Sequence, residues 1–313
     1  MRSELGNKCF IYSKLPSAKR LIFVRLYQVQ CNLSFLLKYT STMLVAIFKN
    51  EFIYWLKNPS FYVYLCLFFI LAVAAMAGAS GAFGEESSNA ARMANAPMNV
   101  YSFSLFFNKL LLFLLPAIVG TSVYKDYKSN MHSILYTYPF GKRDYLIGRF
   151  TGAFAVVALI AFAVEVGLFL GTKLPYSNPA QLAPFDAGVY LQAYSFYLLP
   201  NLLLFGVVVF TIVTMTRNIY AGFIALILLL LVKEMLTRLT GGPGANPAGL
   251  LLEPFGETAT YHFTQNRTLS EQDILPIPLE PVIFYNRLLW LAVAAGIFYL
   301  VYRWFSFSQQ GVS

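Results

Sequence analysis

Apolar residues fall along this chain in blocks too long for a water-soluble core. Six stretches, Phe61 to Phe83, Val100 to Tyr124, Phe150 to Leu170, Leu191 to Met215, Ile219 to Leu236 and Leu288 to Phe305, approach or meet the ~20 apolar residues a helix needs to cross hydrocarbon. The pattern predicts an all-α polytopic membrane protein with six transmembrane helices. Asn58 and Pro59 supply a cap and a first-turn proline where the first span begins. Lys109 lies inside the second span at a cost of roughly 3 kcal/mol, which the surrounding Leu, Ile, Phe and Val offset at roughly 0.3–0.6 kcal/mol each. Pro116 and Pro200 predict kinks rather than breaks, because neighbouring helices satisfy the freed carbonyls.

Between and before the spans the pattern changes. Met43 to Lys57 shows helical spacing, with Leu44, Ile47, Phe48, Phe52, Trp55 and Leu56 on one side and Lys49, Asn50 and Lys57 opposite. This predicts an amphipathic helix over 43–60 lying on the membrane surface, with Tyr54 and Trp55 at headgroup level. Residues 1–42 carry no span and no signal peptide, and read as a poorly structured or spurious extension, with Met43 as an alternative start. The spans and their connections then occupy 61–305, with a long external loop at 237–287, and 306–313 form a cytosolic tail. Lys128 to Tyr138 predicts a short helix ending in a turn at Pro139, Phe140 and Gly141, whereas the two Pro-Phe-Gly triplets, at 139 and 254, read as chance.

Composition agrees with the pattern. Of 313 residues 58% are hydrophobic and 12% charged, about half the charged share of a soluble domain. The net charge of +9 does not mark a nucleic-acid binder, since the Lys and Arg are spread between apolar runs rather than gathered on one face. They are divided unequally by the six-span map. Sixteen fall on the side of the amino terminus and five on the other, which places both termini in the cytosol.

Candidate chemistry is sparse. Cys9, Cys31 and Cys66 are scattered and form neither a disulfide framework nor a metal site. No phosphate-cradling GxxxxGK[ST] loop is present, and His132 and His262 fall on opposite sides of the map, so neither a nucleotide site, a zinc-peptidase site nor a His-centred triad is indicated. The chain reads as a non-enzyme that binds no cofactor of its own. Intramembrane charges are functional candidates, and Lys109 and Glu165, both in the outer halves of their helices, are a candidate ion pair. Snorkelling or a structural salt bridge is the plain alternative.

The order of these elements resembles the ABC type-2 permeases, the membrane subunits of ATP-binding-cassette exporters. The resemblance covers about Met43 to Phe307. IFKNEFIYWLKNPSFYVY resembles the amphipathic lead-in helix of that family, and YKDYKSNMHSILYTYPFGKRDYLIGRF its loop between the second and third spans. LLLEPFGETA and IFYNRLLW resemble a subgroup in which the permease is fused to a further membrane half and a zinc aminopeptidase-like domain. The present chain ends at Ser313 without either, as an amino-terminal fragment, a split gene product or a half-size permease would. The resemblance implies a bacterial inner-membrane exporter subunit, acting as a homodimer or with a related half. A separate cytosolic ATPase would supply ATP hydrolysis, docked on the segment after the second span through Met131, Leu135 and Tyr138. The alternative is a membrane anchor or assembly subunit for an extracytoplasmic partner such as a peptidase.

Overall fold

The computed structural model describes residues 43–83, 93–129, 141–175, 177–239 and 247–305. The amino-terminal extension, the tail 306–313 and the docking candidates Met131, Leu135 and Tyr138 lie outside them. Among the described residues the chain is helical, with one isolated bridge, Ala94 to Leu182, and no strand.

Helix α1 occupies 43–57, with Lys49, Asn50 and Lys57 exposed as the spacing predicts. Asn58 then turns the chain, its side chain accepting from the Ser60 amide at 3.0 Å, and Pro59 opens α2, Pro59–Ala79. The remaining long helices are α3 (Pro97–Lys128), α4 (Lys142–Gly171), α5 (Ala187–Thr216), α6 (Ile219–Leu239) and α10 (Pro281–Trp304). Three short helices, α7 (Pro247–Leu252), α8 (Glu257–Thr264) and α9 (Leu269–Ile274), lie between α6 and α10. Five helices, α2, α3, α4, α5 and α10, are long and apolar enough to cross a membrane. Helix α6, with 21 residues, is about 31 Å long and also matches a hydrocarbon core. Its apolar outer face, including Ile224, Leu228 and Leu231, is exposed, as a lipid-facing surface would be.

The bundle has two chemically different ends. At one meet α1, the end of α3, the start of α4, the α5–α6 turn and the end of α10: Arg217 lies 5.1 Å from the Tyr127 ring, and Lys142 lies 4.6 Å from the Tyr302 ring. Arg217 itself turns the chain in the left-handed region, φ 54°. At the opposite end Ala94 pairs with the 177–183 segment and Gln192 donates to the Ile277 carbonyl. Helix α6 runs from the first end to the second, where Lys233 meets Glu257 at 3.0 Å.

A π turn lies beside each of the two prolines, after one and before the other. Pro116 opens a π turn at Pro116–Gly120, and a second π turn, Ala193–Leu198, ends just before Pro200. A proline lacks the N–H for the i−4 carbonyl and its ring crowds that carbonyl; one wider turn relieves both without ending the helix.

Close approach of helices is set by glycine. Along α4, Gly148 and Gly152 face α1, where an added Cβ would stand 2.8 Å from Ile47 Cγ2 and 3.0 Å from the Phe48 carbonyl. Further along, Gly167 and Gly171 face α2, where it would stand 2.9 Å from the Phe69 carbonyl and 2.6 Å from that of Val73. These are two small-xxx-small pairs on one helix, the arrangement that lets apolar helices gain dispersion contact where water supplies no hydrophobic drive between them. Trp55, expected at headgroup level, is instead 3% exposed in the core. The polar segment 125–149 is shorter than its composition indicated, because α3 continues to Lys128 and α4 already begins at Lys142.

Leucine at position 152 or 167 has no room. Each substitution is expected to destabilise the protein by about 1–3 kcal/mol. Gly296→Leu, where nothing lies within 4 Å, is expected to be neutral. Thermal unfolding of the three variants in one detergent measures the difference.

Candidate functional site

Helix α1 carries an acid on its apolar side. Glu51 follows Ile47 and precedes Trp55 by one helical turn each, so helical geometry sends its carboxylate into the same seam as those apolar residues. Its side chain is fully buried. Both oxygens accept from Lys125 Nζ at 2.8 Å, and Oε2 also accepts from Arg149 Nη1. The other guanidinium nitrogen, Nη2, bridges Asp126 at 2.7 and 2.6 Å, and Tyr145 Oη donates to Asp126 Oδ2 at 2.8 Å. Lys125 completes the cluster by sitting 3.7 Å from the Tyr54 ring centroid.

Two acids face two bases, so the cluster is neutral as a whole and each charge has a partner. That balance lets it persist between helices where a lone charge would be costly. It joins three elements. Glu51 and Tyr54 come from α1, Lys125 and Asp126 from the last turn of α3, and Tyr145 and Arg149 from the first two turns of α4. The residues on either side of 130–140, at the end of α3 and the start of α4, are thus fastened to each other and to α1.

A second polar cluster lies at the opposite end, where sequence patterning placed a plain external loop. The part of that segment around α7 and α8 packs against α5 and α10. Phe255, Ala259 and Thr260 are fully buried, and Phe255 stacks against Phe205 of α5 at 5.1 Å. Its backbone is satisfied from α10: Asn286 Nδ2 donates to the carbonyls of Leu250, Leu251 and Glu253 at 2.9–3.0 Å, and Trp290 Nε1 to that of Leu251 at 3.2 Å. The Glu253 carboxylate accepts from the amides of Phe255 and Thr258. Burial pushes that carboxyl above the ordinary range and the charge of Glu257 adds to this, while Lys233 and the two amides oppose it. Gly256 adopts φ +71°, and a Cβ on it would stand 1.8 Å from Arg287 Nη2, so the turn accepts glycine alone. Arg287 Nη1 in turn donates to Asn201 Oδ1 on α5 at 2.7 Å. The strings LLLEPFGETA and IFYNRLLW, far apart in sequence, are thus two halves of one packed lock.

The expected Lys109–Glu165 pair does not form. Lys109 Nζ meets Glu257 at 2.7 Å, whereas Glu165 Oε1 accepts from Ser104 Oγ at 2.7 Å. Ser104 and Lys109 are five residues apart on α3, about 140° around the helix, so they face different neighbours. Glu257, the first residue of α8 and absent from the sequence argument because its segment read as external, takes the lysine. The cluster around Glu51 was also missed. Its one sequence signal was an acid at an apolar position of α1, and its partners read as loop charges.

Arg149 holds both acids of the first cluster, so Arg149→Met is expected to cost about 3–5 kcal/mol, the penalty for leaving buried charges without their partner. Lys125→Met leaves Glu51 bonded to Arg149 and is expected to cost roughly 1.5–3 kcal/mol. Chemical unfolding followed by tryptophan fluorescence ranks the two; equal costs contradict the central place of Arg149.

The arrangement is a lead-in helix fastened to the end of α3 and the start of α4, and an apolar helical bundle with a buried segment before its last helix. No curated protein matches the chain. The family described as ABC-2 family transporter protein matches residues 45–310, which spans α1 through α10 and begins two residues into α1. The chain therefore belongs to the ABC-2 transporter family and is a membrane permease component of an ATP-binding-cassette transporter.

Proposed function

We propose that this permease is the transmembrane half of an exporter that works as a dimer with a separate cytosolic ATPase, and that the cluster Glu51, Lys125, Asp126 and Arg149 passes the motion of that ATPase to the spans. The single observation that carries the reading is the fastening of both roots of segment 130–140 to α1 by buried ion pairs. A force on that segment would reach α1, α3 and α4 together, because none of the three can shift without breaking a buried charge contact. Met131, Leu135 and Tyr138 recur there at helical spacing and supply the apolar anchors that helix-in-groove docking uses. ATP would be bound by the partner alone. The second half of the transporter would be another copy or a related chain, seated against spans such as α2 and α10, whose large apolar side chains are widely exposed. Both termini would lie in the cytosol, as the sixteen-to-five division of Lys and Arg supports.

Docking and transmission separate experimentally. Leu135→Asp with Tyr138→Ala is expected to abolish co-purification of the ATPase. Asp126→Asn is expected to leave co-purification intact while reducing the permease-dependent stimulation of ATP hydrolysis by about tenfold. Full stimulation by Asp126→Asn contradicts the transmission role, and absence of any ATPase with the unaltered protein moves the assignment to a membrane anchor.

Orientation is checked with single cysteines at two exposed positions, Ser129 and Ser270, in a background free of Cys9, Cys31 and Cys66. In intact cells an impermeant thiol reagent is expected to label position 270 and not 129; the reverse result inverts the map.

A further inference from the structure

The end of the bundle that holds α1 carries more positive charge than its own acids answer. Lys49, Lys57, Lys128, Arg143 and Arg303 are exposed there. The described acids of that end are all buried: Glu51 and Asp126 are paired within the cluster of Lys125 and Arg149, and Asp144 is 7% exposed. Arg143 has no ion-pair partner among the described residues. Counter-charge therefore comes from outside the described chain, drawn by the summed field of these cations.

One of the cations borders a groove. A cavity of about 320 Å³ lies between the start of α4 and the end of α10, with Arg143, Leu146 and Ile147 on one wall and Phe298, Tyr299 and Tyr302 on the other. Each set recurs at helical spacing, so the groove runs along both helices. Its two ends differ. Arg143 and Tyr302 stand in the terminal turns of their helices, whereas Ile147 lies one turn, and the lining residue Ala295 two turns, further into the bundle. Lys142 adds a second cation at the outer end, with Nζ 4.6 Å from the Tyr302 ring centroid. The Tyr299 and Tyr302 hydroxyls have no hydrogen-bond partner among the described residues. The floor is apolar and supported from behind: Leu146 is fully buried, and the Phe298 ring packs 5.5 Å from that of Phe150 and 6.0 Å from that of Phe210. Arg143, Ala295 and Tyr299 are exposed along it, so the groove opens on the outer face of the bundle.

We propose that this groove holds an anionic phospholipid, its phosphate beside Arg143 and Lys142 and an acyl chain against Leu146, Ile147 and Phe298. Cations at the membrane surface with an apolar channel running inward present charge and hydrocarbon in the order in which a phospholipid joins them. A soluble anion would leave the apolar part of the groove unmatched. A second copy of the chain in the same orientation has, among its described residues, no exposed acid to bring to this end. The site goes beyond the coupling role proposed for the cluster around Glu51, and its test needs no ATPase, so the two readings fail separately.

The probe is dioleoyl-phosphatidylglycerol, titrated onto the purified full chain in a neutral detergent and followed by native mass spectrometry, with dioleoyl-phosphatidylcholine as the zwitterionic control. A saturable phosphatidylglycerol adduct is expected, about fivefold or more tighter than that with phosphatidylcholine and weakened about fivefold by Arg143→Gln. Ala295→Trp, which fills the inner end of the groove without changing charge, is expected to weaken it several-fold. Lys57→Gln removes an equally exposed cation of the same end on α1 and is expected to leave the affinity unchanged. The proposal is overturned if phosphatidylcholine binds as tightly, or if Lys57→Gln costs as much as Arg143→Gln, since the cations then act only as a diffuse field. It is equally overturned if glycerol phosphate, the headgroup without its chains, displaces the lipid at equal concentration. A lipid-free dimer that Ala295→Trp dissociates would give the groove to a second copy and also overturn it. Should Arg143→Gln fail to elute as a folded species, Ala295→Trp decides, since position 295 is exposed; unchanged affinity then overturns the site.

Discussion

Hydrocarbon offers no hydrogen bonds, and that absence shapes the two polar clusters of this bundle. A charge or an open backbone carbonyl among the spans must be met by another part of the same protein or a partner. The cluster of Glu51, Lys125, Asp126 and Arg149 obeys this by balancing two acids against two bases. The segment from Leu250 to Thr264 obeys it differently, with Asn286, Trp290 and the Glu253 carboxylate taking up backbone groups that water would otherwise satisfy. Both are consequences of one constraint, solved once with charges and once with amides.

Shape follows from the smallest side chains. Helix α4 serves as the spine because glycine pairs let α1 approach it at one end and α2 at the other. The approach at Gly152 is also what brings the backbone of α1 near enough for Glu51 to reach Arg149. Helix packing and electrostatics are therefore not separate contributions at that end: a bulkier residue on α4 would move an acid away from its base. The π turns at Pro116 and before Pro200 supply the complementary feature, a local widening within α3 and α5.

One end ties α1 to the last turn of α3 and the start of α4, and the opposite end locks a buried segment between α5 and α10 through Asn201 and Arg287. Between them the spans are held mainly by dispersion, with exposed apolar faces on α2, α6 and α10. Rigid ends joined by an apolar middle can tilt as units, whereas a polar network along the whole height would resist any such movement.

The apolar runs alone determined the class of protein, the six long helices and the amphipathic α1, because burial in lipid demands about 20 apolar residues per crossing and an amphipathic helix demands a 3.6-residue period. Pro116 and Pro200 announced their distortions for the equally local reason that proline cannot donate to the preceding turn. The charges were a different matter. Lys109 read as a partner for Glu165 because both sat at similar depth, yet depth leaves the angle around each helix and the path of the loops open. Only the tertiary structure decided that Glu257, from a segment that read as external, takes Lys109, that Ser104 takes Glu165, and that Glu51 gathers Lys125 and Arg149. Spans are local and lengthwise, so sequence fixes them; partners depend on rotation and close approach between helices, which no single helix specifies.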